Sequence, residues 1–556
     1  MFVPNTEHLD DFLANWSEQL SAKKLELLKN SNDYQFYELI FCHIKEEDFR
    51  CLYSENELSA PNSPVNCLVA AIILSHQRKW SHRELEQQIL FNVATRVALG
   101  LKDLEDTPFS MRTFYNFKNR MAAYSKRTGE NLFEKVFKHL TKKQLAALKL
   151  NTSIQRGDSV LLDSGICFYS RLSLLVEVLR RLYLVLSKED QQTYQLLFAP
   201  YIKGGEKFVY TLGTNEWVSQ IHALTTVYYT VYEGLKEKYS SLEVFQIFKR
   251  VYEEHFKITL EKISNEETEQ RVVQLRPNEE LGSNMLQSPD DLDATFRSKE
   301  KEKHHGFVAF GAETCHPDNE VNLVTALSAD ANNVDDSFLL ENQLDHLKEQ
   351  SPDLKEFHQD GAFGSKGVDE KAEELKIVLV QTAIRGKTAA VPIRIDGDEK
   401  KGFIVACPNS EHPKVKAQFV RKNYKAVFDL NICNRCPLRN DCMVFKKQNL
   451  KKEIATYRFA ATDGLMQKRH RAIQTIPKER RTLRAGVEGL MAQFHRGARH
   501  TGKLKVRGLF NCRLYVYSVG IAINFERIVK YLLEFALFSS PNNTGCLSKL
   551  LVPILK

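Results

Sequence analysis

A chain of 556 residues is too long for one hydrophobic core, so about two to four domains are expected. With 43% hydrophobic and 27% charged residues it is neither a disordered chain nor a membrane bundle, and eleven cysteines are too few for a disulfide scaffold. The net charge of +8 is concentrated: between Lys468 and Arg507 twelve Lys and Arg stand against two acids, Glu479 and Glu488, which points to a polyanion partner or to a solvated face.

In chain order, MFVPNTEHLDDF lacks the charged-then-apolar pattern of a secretion signal. No run reaches the roughly 18 apolar residues that span a bilayer. LYVYSVGIAINF (514–525) is shorter and reads as a buried helix. We therefore expect a cytoplasmic protein with no membrane partner. Residues 1–150 look helical throughout. SMRTFYNFKNRMAAYSKR (110–127) opens on a serine cap and mixes aromatic with basic residues, which suits either a DNA-docking helix or a surface helix anchored by its rings.

SVLLDSG predicts a strand near 159–163, within a segment 151–168. From 169 to 290 the patterning is helical to about residue 277, including SSLEVFQIFKRVYEEHFKITLEKI, and predicts an all-helical insertion. HGFVAFGAETC (305–315) and EVNLVTALSAD (320–330), joined by HPDN, read as a β-hairpin. Residues 336–350 read as a helix capped by Asp336, 356–365 as a strand ending in a glycine turn, 368–376 as a helix and 377–383 as a strand. The fold class is thus α/β: a mixed sheet over 151–168 and 291–385, completed by 471–535, with a tail at 536–556. Residues 386–470 form a Cys-rich insertion with little periodicity, and helices return from about 477.

Three acids stand out. Asp158 opens the first predicted strand with Asp163 close behind it, Asp360 ends a later strand beside a glycine, and Glu488 sits in the basic helix RAGVEGLMAQFHR. One strand-end aspartate is more often a turn former than a ligand. Three carboxylates in one pocket repel each other unless a cation balances them, and that donor set suits Mg²⁺ or Mn²⁺. Arg484 and Arg481, four and seven residues before Glu488, either bind phosphate or pair with it. His495 reads as a surface histidine, although seven residues beyond Glu488 it could assist. Arg499, Lys503, Lys505 and Arg507 look like a DNA-backbone loop. Asp293, Arg297 and Lys299 line either a DNA channel or a solvated turn. Cys407, Cys433, Cys436 and Cys442 are spaced C-x25-C-x2-C-x5-C, which suits a four-cysteine Zn²⁺ knuckle with His412 as a substitute ligand; an iron–sulfur cluster and unligated thiols are the other readings.

Together, SPVNCLVAAIILSHQRKWSHRELEQQI, FSMRTFYNF, QRGDSVLLDSGICFYSRLSLLVEVL, DDLDATFRSKEKEKHHGF, HQDGAFGS and RAGVEGLMAQFHRGARHTGKLKVRGLFNCRLYVYSVGIAINFERI resemble DDE-type transposases of bacterial insertion sequences. The resemblance covers most of the chain. It implies an RNase H-like core, an N-terminal helical DNA-binding domain at 1–150, and a catalytic triad that falls on Asp158, Asp360 and Glu488 as ligands of divalent ions. It also implies cleavage at the ends of a mobile element, strand transfer into target DNA, action as a homodimer on paired double-stranded DNA ends, and a nucleoid-associated location. Asn524 and Arg527 match a family pattern; structural capping is the plainer reading. Where the family's first motif reads Asp-Ser-Thr and then Ser-Asn, this chain has Asp158-Ser159-Val160 and Ser164-Gly165, so Asp163 becomes a rival for the first position. The alternative reading is a catalytically inactive or domesticated DNA-binding protein derived from a transposase.

Overall fold

The computed structural model describes residues 1–6, 12–56, 58–202, 205–213, 215–262, 269–381, 391–399, 401–446 and 455–539. Its centre is a mixed sheet. The first strand, β1 (Ile154–Asp163), is followed by an inserted hairpin of β2 (Phe256–Lys262) and β3 (Glu269–Leu275). The sheet then continues through β4 (Thr295–Lys299), β5 (Glu302–Thr314), β6 (Val324–Ala331), β7 (Glu356–Gln359) and β8 (Val378–Gln381). The order is β4-β5-β1-β7-β8, with β6 also paired to β5. β5 runs antiparallel to both β1 and β6, whereas β7 and β8 are parallel to β1. β7 and β8 follow the helices Asp336–Gln350 and Lys366–Glu374, as parallel neighbours require a crossover.

β1 is the middle of the sheet because both its faces find cover. Leu161 faces one core with Phe310, Phe357 and the helix residues Leu340, Leu344 and Leu347. Leu162 faces another that runs without a break into the N-terminal helices and includes Phe307, Leu327, Leu490 and Phe494. The last long helix, Leu509–Ser539, lies in that second core, with helices Val65–Gln77 and Leu132–Ala147 around it. The N-terminal helices therefore share their core with the central sheet. Gly157 is where β1 needs the least bulk: a Cβ there would fall 2.6 Å from the ring of Phe357.

The insertion after β1 holds its own core of Leu175, Leu179, Leu182, Tyr228, Val231 and Phe248. It departs from the all-helical expectation, because residues 256–262 and 269–275 pair as the β2–β3 hairpin. FKITLEK alternates large apolar with polar residues, a period of two that the strongly amphipathic helix before it masks. The segment Thr295–Lys299, read from sequence as either a DNA-channel lining or a solvated turn, is a strand on the edge of β5.

The Cys-rich segment forms two small sheets. β9 (Arg394–Asp398), β10 (Gly402–Ala406) and β11 (Val415–Lys416) make one; β12 (Gln418–Val420), β13 (Asn423–Val427) and β14 (Thr456–Phe459) make the other. Ile395, Phe403, Val405, Phe459 and Cys433 fill the space between them. Helices return earlier than expected, at Ala461–Thr475.

Candidate active site

Asp158 is the fifth of ten residues in β1, not its first; the strand begins four residues earlier, at Ile154. The parallel ladder with β7 pairs Ile154 with Glu356, Gln155 with Phe357 and Arg156 with His358. Continuing that register two residues sets Asp158 beside Asp360, on the same face. Asp360 lies just past β7, where its carboxylate accepts the amide of Gly361 at 2.6 Å and caps a short 3-10 turn.

The third carboxylate arrives on a segment that β1 and β7 hold in place. RAGVEGLMAQFHR is not one helix: a 3-10 turn at Thr482–Gly486 precedes the helix Val487–Phe494. Arg480 pairs with Glu356 on β7. Arg156 on β1 donates to the carbonyl of Leu483 at 2.5 Å and to Glu313 at 2.8 Å. Glu313 is fully buried and accepts a second guanidinium, that of Arg527, at 2.6 Å. Asn524, one turn earlier on the same helix, bonds both backbone groups of Val324 at 2.7 and 3.0 Å. Asn524 and Arg527 thus clamp the terminal helix to the sheet rather than cap it.

The outcome is a convergence on one atom. Arg484 Nη2 lies 2.5 Å from Asp158 Oδ2, 3.9 Å from Asp360 Oδ2 and 3.7 Å from Glu488 Oε1. The three carboxylates are therefore within about 8 Å of one another, a span that two divalent ions about 4 Å apart can share. Their settings differ. The side chain of Asp158 is 13% exposed and that of Glu488 68%. Burial raises the carboxyl of Asp158 above the ordinary aspartate range, and the charge of Glu488 adds to this. The amide of Ser159 and the guanidinium of Arg484 pull the other way. The donor chemistry, all hard oxygen, fits a divalent cation. Arg484 itself holds the oxygens apart, and among the described residues no group of three His, Cys, Asp or Glu stands close enough to hold an ion.

Asp163 lies elsewhere. It stands five positions beyond Asp158, an odd offset, so it points to the opposite face about 16 Å further along the strand. There its carboxylate accepts the amide of His305 at 2.9 Å and lies 3.5 Å from His304. His495 is in the electrostatic range of Asp163 and His304, not of the three converging acids.

The basic loop also sits at that far end of β1. Lys503 Nζ donates to the carbonyl of Ile166 and lies 3.6 Å over the ring of Phe168; Arg507 Nε donates to Gly165. Lys505 Nζ donates to the carbonyl of Lys79 at 2.9 Å, which joins the loop to the N-terminal helices. Arg499 is exposed. Arg481 ends the short helix Lys478–Arg481, and its side chain lies outside the described residues. Arg297 reaches Asp336 and the carbonyls of Asn332 and Val334; Lys299 ends β4. Asp293 accepts the amide of Leu509 at the start of the terminal helix. Asp335, not Asp336, is the cap position of the helix that follows, and Asp336 instead accepts the hydroxyl of Ser159.

Cys407 follows β10, Cys433 and Cys436 flank the end of the helix Leu430–Arg435, and Cys442 follows a 3-10 turn. The four thiols feel one another electrostatically, and burial pushes that of Cys433 up to about 11. Cys433 Sγ lies 3.2 Å from His412 Nε2. The soft donors share one neighbourhood but are not drawn together at ligating distances among the described residues.

Sequence reasoning missed the Arg156–Glu313–Arg527 triad. No periodicity marks a buried charge; the one available signal was a lone glutamate inside the apolar run of β5.

Residues 406–529 match the family described as Transposase DDE domain, and residues 23–120 match the family described as Transposase domain (DUF772). The first match takes in Glu488, Arg527 and the four cysteines but neither Asp158 nor Asp360. No curated protein and no solved structure matches the chain.

Proposed function

Because the chain belongs to the DDE-type transposases of insertion-sequence type, we propose that it cuts DNA at the ends of a mobile element and joins the freed ends to target DNA, with Asp158, Asp360 and Glu488 as its catalytic carboxylates. The observation that carries this reading is the single guanidinium nitrogen within 3.9 Å of all three. The sheet order β6-β5-β1-β7-β8, with β5 antiparallel to β1, supports an RNase H-like core.

The three carboxylates would hold Mg²⁺ or Mn²⁺, which when bound activate an attacking oxygen and stabilise the leaving one. The chain's own contribution is placement. The amide of Ser159 fixes Asp158 with one oxygen turned toward Arg484, and the Gly361 amide does the same for Asp360. Arg484 is the one cation within 4 Å of all three acids among the described residues, and its buried Nε has no hydrogen-bond partner. Once cations take its place among the acids, this guanidinium would suit a phosphate oxygen of the scissile strand and orient the phosphorus for in-line attack. In the first step a water oxygen bonds to phosphorus as the bond to the strand's 3′-oxygen breaks. In the second, that 3′-hydroxyl bonds to a target phosphorus and displaces the target's own 3′-oxygen. The cysteines are read as a Zn²⁺ staple for the small sheets, with His412 beside them. The basic loop 499–507 is read as a contact to the DNA backbone.

The test is cleavage of a duplex that carries the element's end. Asp158→Asn, Asp360→Asn and Glu488→Gln are each expected to lower nicking at least about a thousandfold while the duplex is still bound; Asp163→Asn should leave nicking near wild type. Normal cutting by Asp360→Asn removes that residue from the chemistry. Binding without cutting by the wild type itself, in Mg²⁺ or Mn²⁺, would favour the domesticated DNA-binding protein.

A further inference from the structure

The helix Met111–Thr128 lies outside the site described above. Phe114, Phe117 and Met121 are buried and fix one face against the N-terminal core. The opposite face carries Arg112, Asn116, Asn119, Ala123 and Lys126, all exposed and spaced to lie in one stripe. No acid occurs anywhere in its eighteen residues, which hold five Lys and Arg. That is unusual for a merely solvated helix, where opposite charges four apart are the common stabiliser.

The cations of this helix divide into two groups. Arg120 and Arg127 lie over the rings of Tyr53 and Tyr124, and Lys118 lies over Phe114 with its ammonium largely buried. Arg112 and Lys126 make no hydrogen bond or ion pair with any described residue, and the same holds for the amides of Asn116 and Asn119. Asparagine and arginine are the side chains that hydrogen-bond to purine edges two atoms at a time. At 1.5 Å per residue the helix is about 27 Å long, ample to lie in a major groove about 12 Å wide. Ala123, at the middle of the stripe, leaves room for close approach.

The stripe also connects to the rest of the basic surface. Tyr115, at its border, bonds His82 at 2.9 Å. His82 opens the helix after Lys79, whose carbonyl receives the ammonium of Lys505. Glu84, on that same helix, is occupied in the capping box of Ser81. The loop 499–507 and the helix are thus joined through the segment between Lys79 and His82.

We propose that Arg112, Asn116, Asn119 and Lys126 read base edges in the major groove of duplex DNA, and so give the enzyme its sequence selectivity. The proposal rests on the transposase reading and separates base readout from the backbone grip of the loop.

The experiment uses the full chain and a pool of duplexes with a randomised core of about 20 base pairs. Wild type is expected to enrich one sequence class. Affinity is then measured for a selected and a scrambled duplex at several salt concentrations. Asn116→Ala/Asn119→Ala should lower the preference for the selected duplex by roughly 10- to 100-fold, with scrambled binding changed less than about twofold. Lys505→Ala should weaken both duplexes alike. Both asparagines are exposed, and an unchanged melting temperature will show that the variant folds. Retained preference in the double variant overturns the proposal and leaves the transposase reading intact. So does salt-dependent binding by the wild type without any enrichment. A wild type that binds no duplex at all overturns both.

Discussion

Gly486→Ala sets two forces against each other. The backbone at Gly486 has φ −67° and ψ −16°, ordinary right-handed values. On propensity alone alanine should stabilise this helix entry by up to about 1 kcal/mol. Space argues the opposite. A Cβ there would fall 2.2 Å from Arg156 Nη1 and 2.5 Å from its Cζ and Nη2. A guanidinium at the end of a flexible side chain normally steps aside. This one is held by the carbonyl of Leu483 at 2.5 Å and by Glu313 at 2.6 Å, and Glu313 has no exposure to water. Displacing it strips a charge-assisted bond from a buried carboxylate, at about 1.5–3 kcal/mol. The balance is a net loss of about 0.5–3 kcal/mol. In an Arg156→Met background the clash is relieved, so the same alanine should be neutral or slightly stabilising. Urea unfolding of the two single variants and the double variant measures the coupling directly. A Gly486→Ala protein as stable as wild type would refute the claim that Arg156 is pinned, and with it the account of how the Glu488 segment is held.

His76 is half-buried, its ring edge-on to Tyr515 at 5.4 Å, and desolvation with Lys118 and His82 nearby lowers its pKa to about 3. Its folded pKa lies below the unfolded value near 6.5, so its contribution is complete above about pH 6.5 and is lost as the pH falls toward 3. His76→Phe should flatten the fall in stability between about pH 6 and pH 4 by about 1.4 kcal/mol per pH unit, read from urea midpoints; an unchanged slope would contradict this. Purified protein is expected to carry close to one zinc per chain, missing from Cys433→Ser; elemental analysis near zero for the wild type rules out the staple. Reversing charge at Arg499 and Lys505 should make the salt dependence of DNA binding shallower by roughly one for each phosphate no longer neutralised, and an unchanged slope would remove the loop from the interface.

The hairpin of β5 and β6 and the later alternation of helix and strand were legible because their apolar periods are clean. β1 was only half legible. Gln155 and Arg156 look like loop residues, yet Gln155 is fully buried against Thr325 and Arg156 is taken up by Glu313. Polar residues satisfied inside a sheet leave no hydrophobic pattern, so the strand seemed to start at Asp158 rather than four residues before it. Asp360 was legible from the glycine after it. Glu488 was placed on a longer helix than the one present. The break at Thr482–Gly486 comes from contacts with Arg156 and Asp158, more than 320 positions earlier, which no local window contains. The two small sheets at 394–459 were missed for a related reason: their strands are two to five residues long, too short to register a period.

The wide sequence separation inside the site also constrains when it can exist. Arg484 and Asp158 are 326 positions apart, and β1 cannot be completed until β5 and β7 flank it. At about 5–20 residues per second a ribosome needs roughly a quarter of a minute to a minute to travel from one to the other. Throughout that interval the growing polypeptide carries its N-terminal helices but not the assembled cluster of Asp158, Asp360, Arg484 and Glu488. Premature termination anywhere before the Glu488 segment would release fragments that hold the N-terminal helices and lack the three-carboxylate cluster.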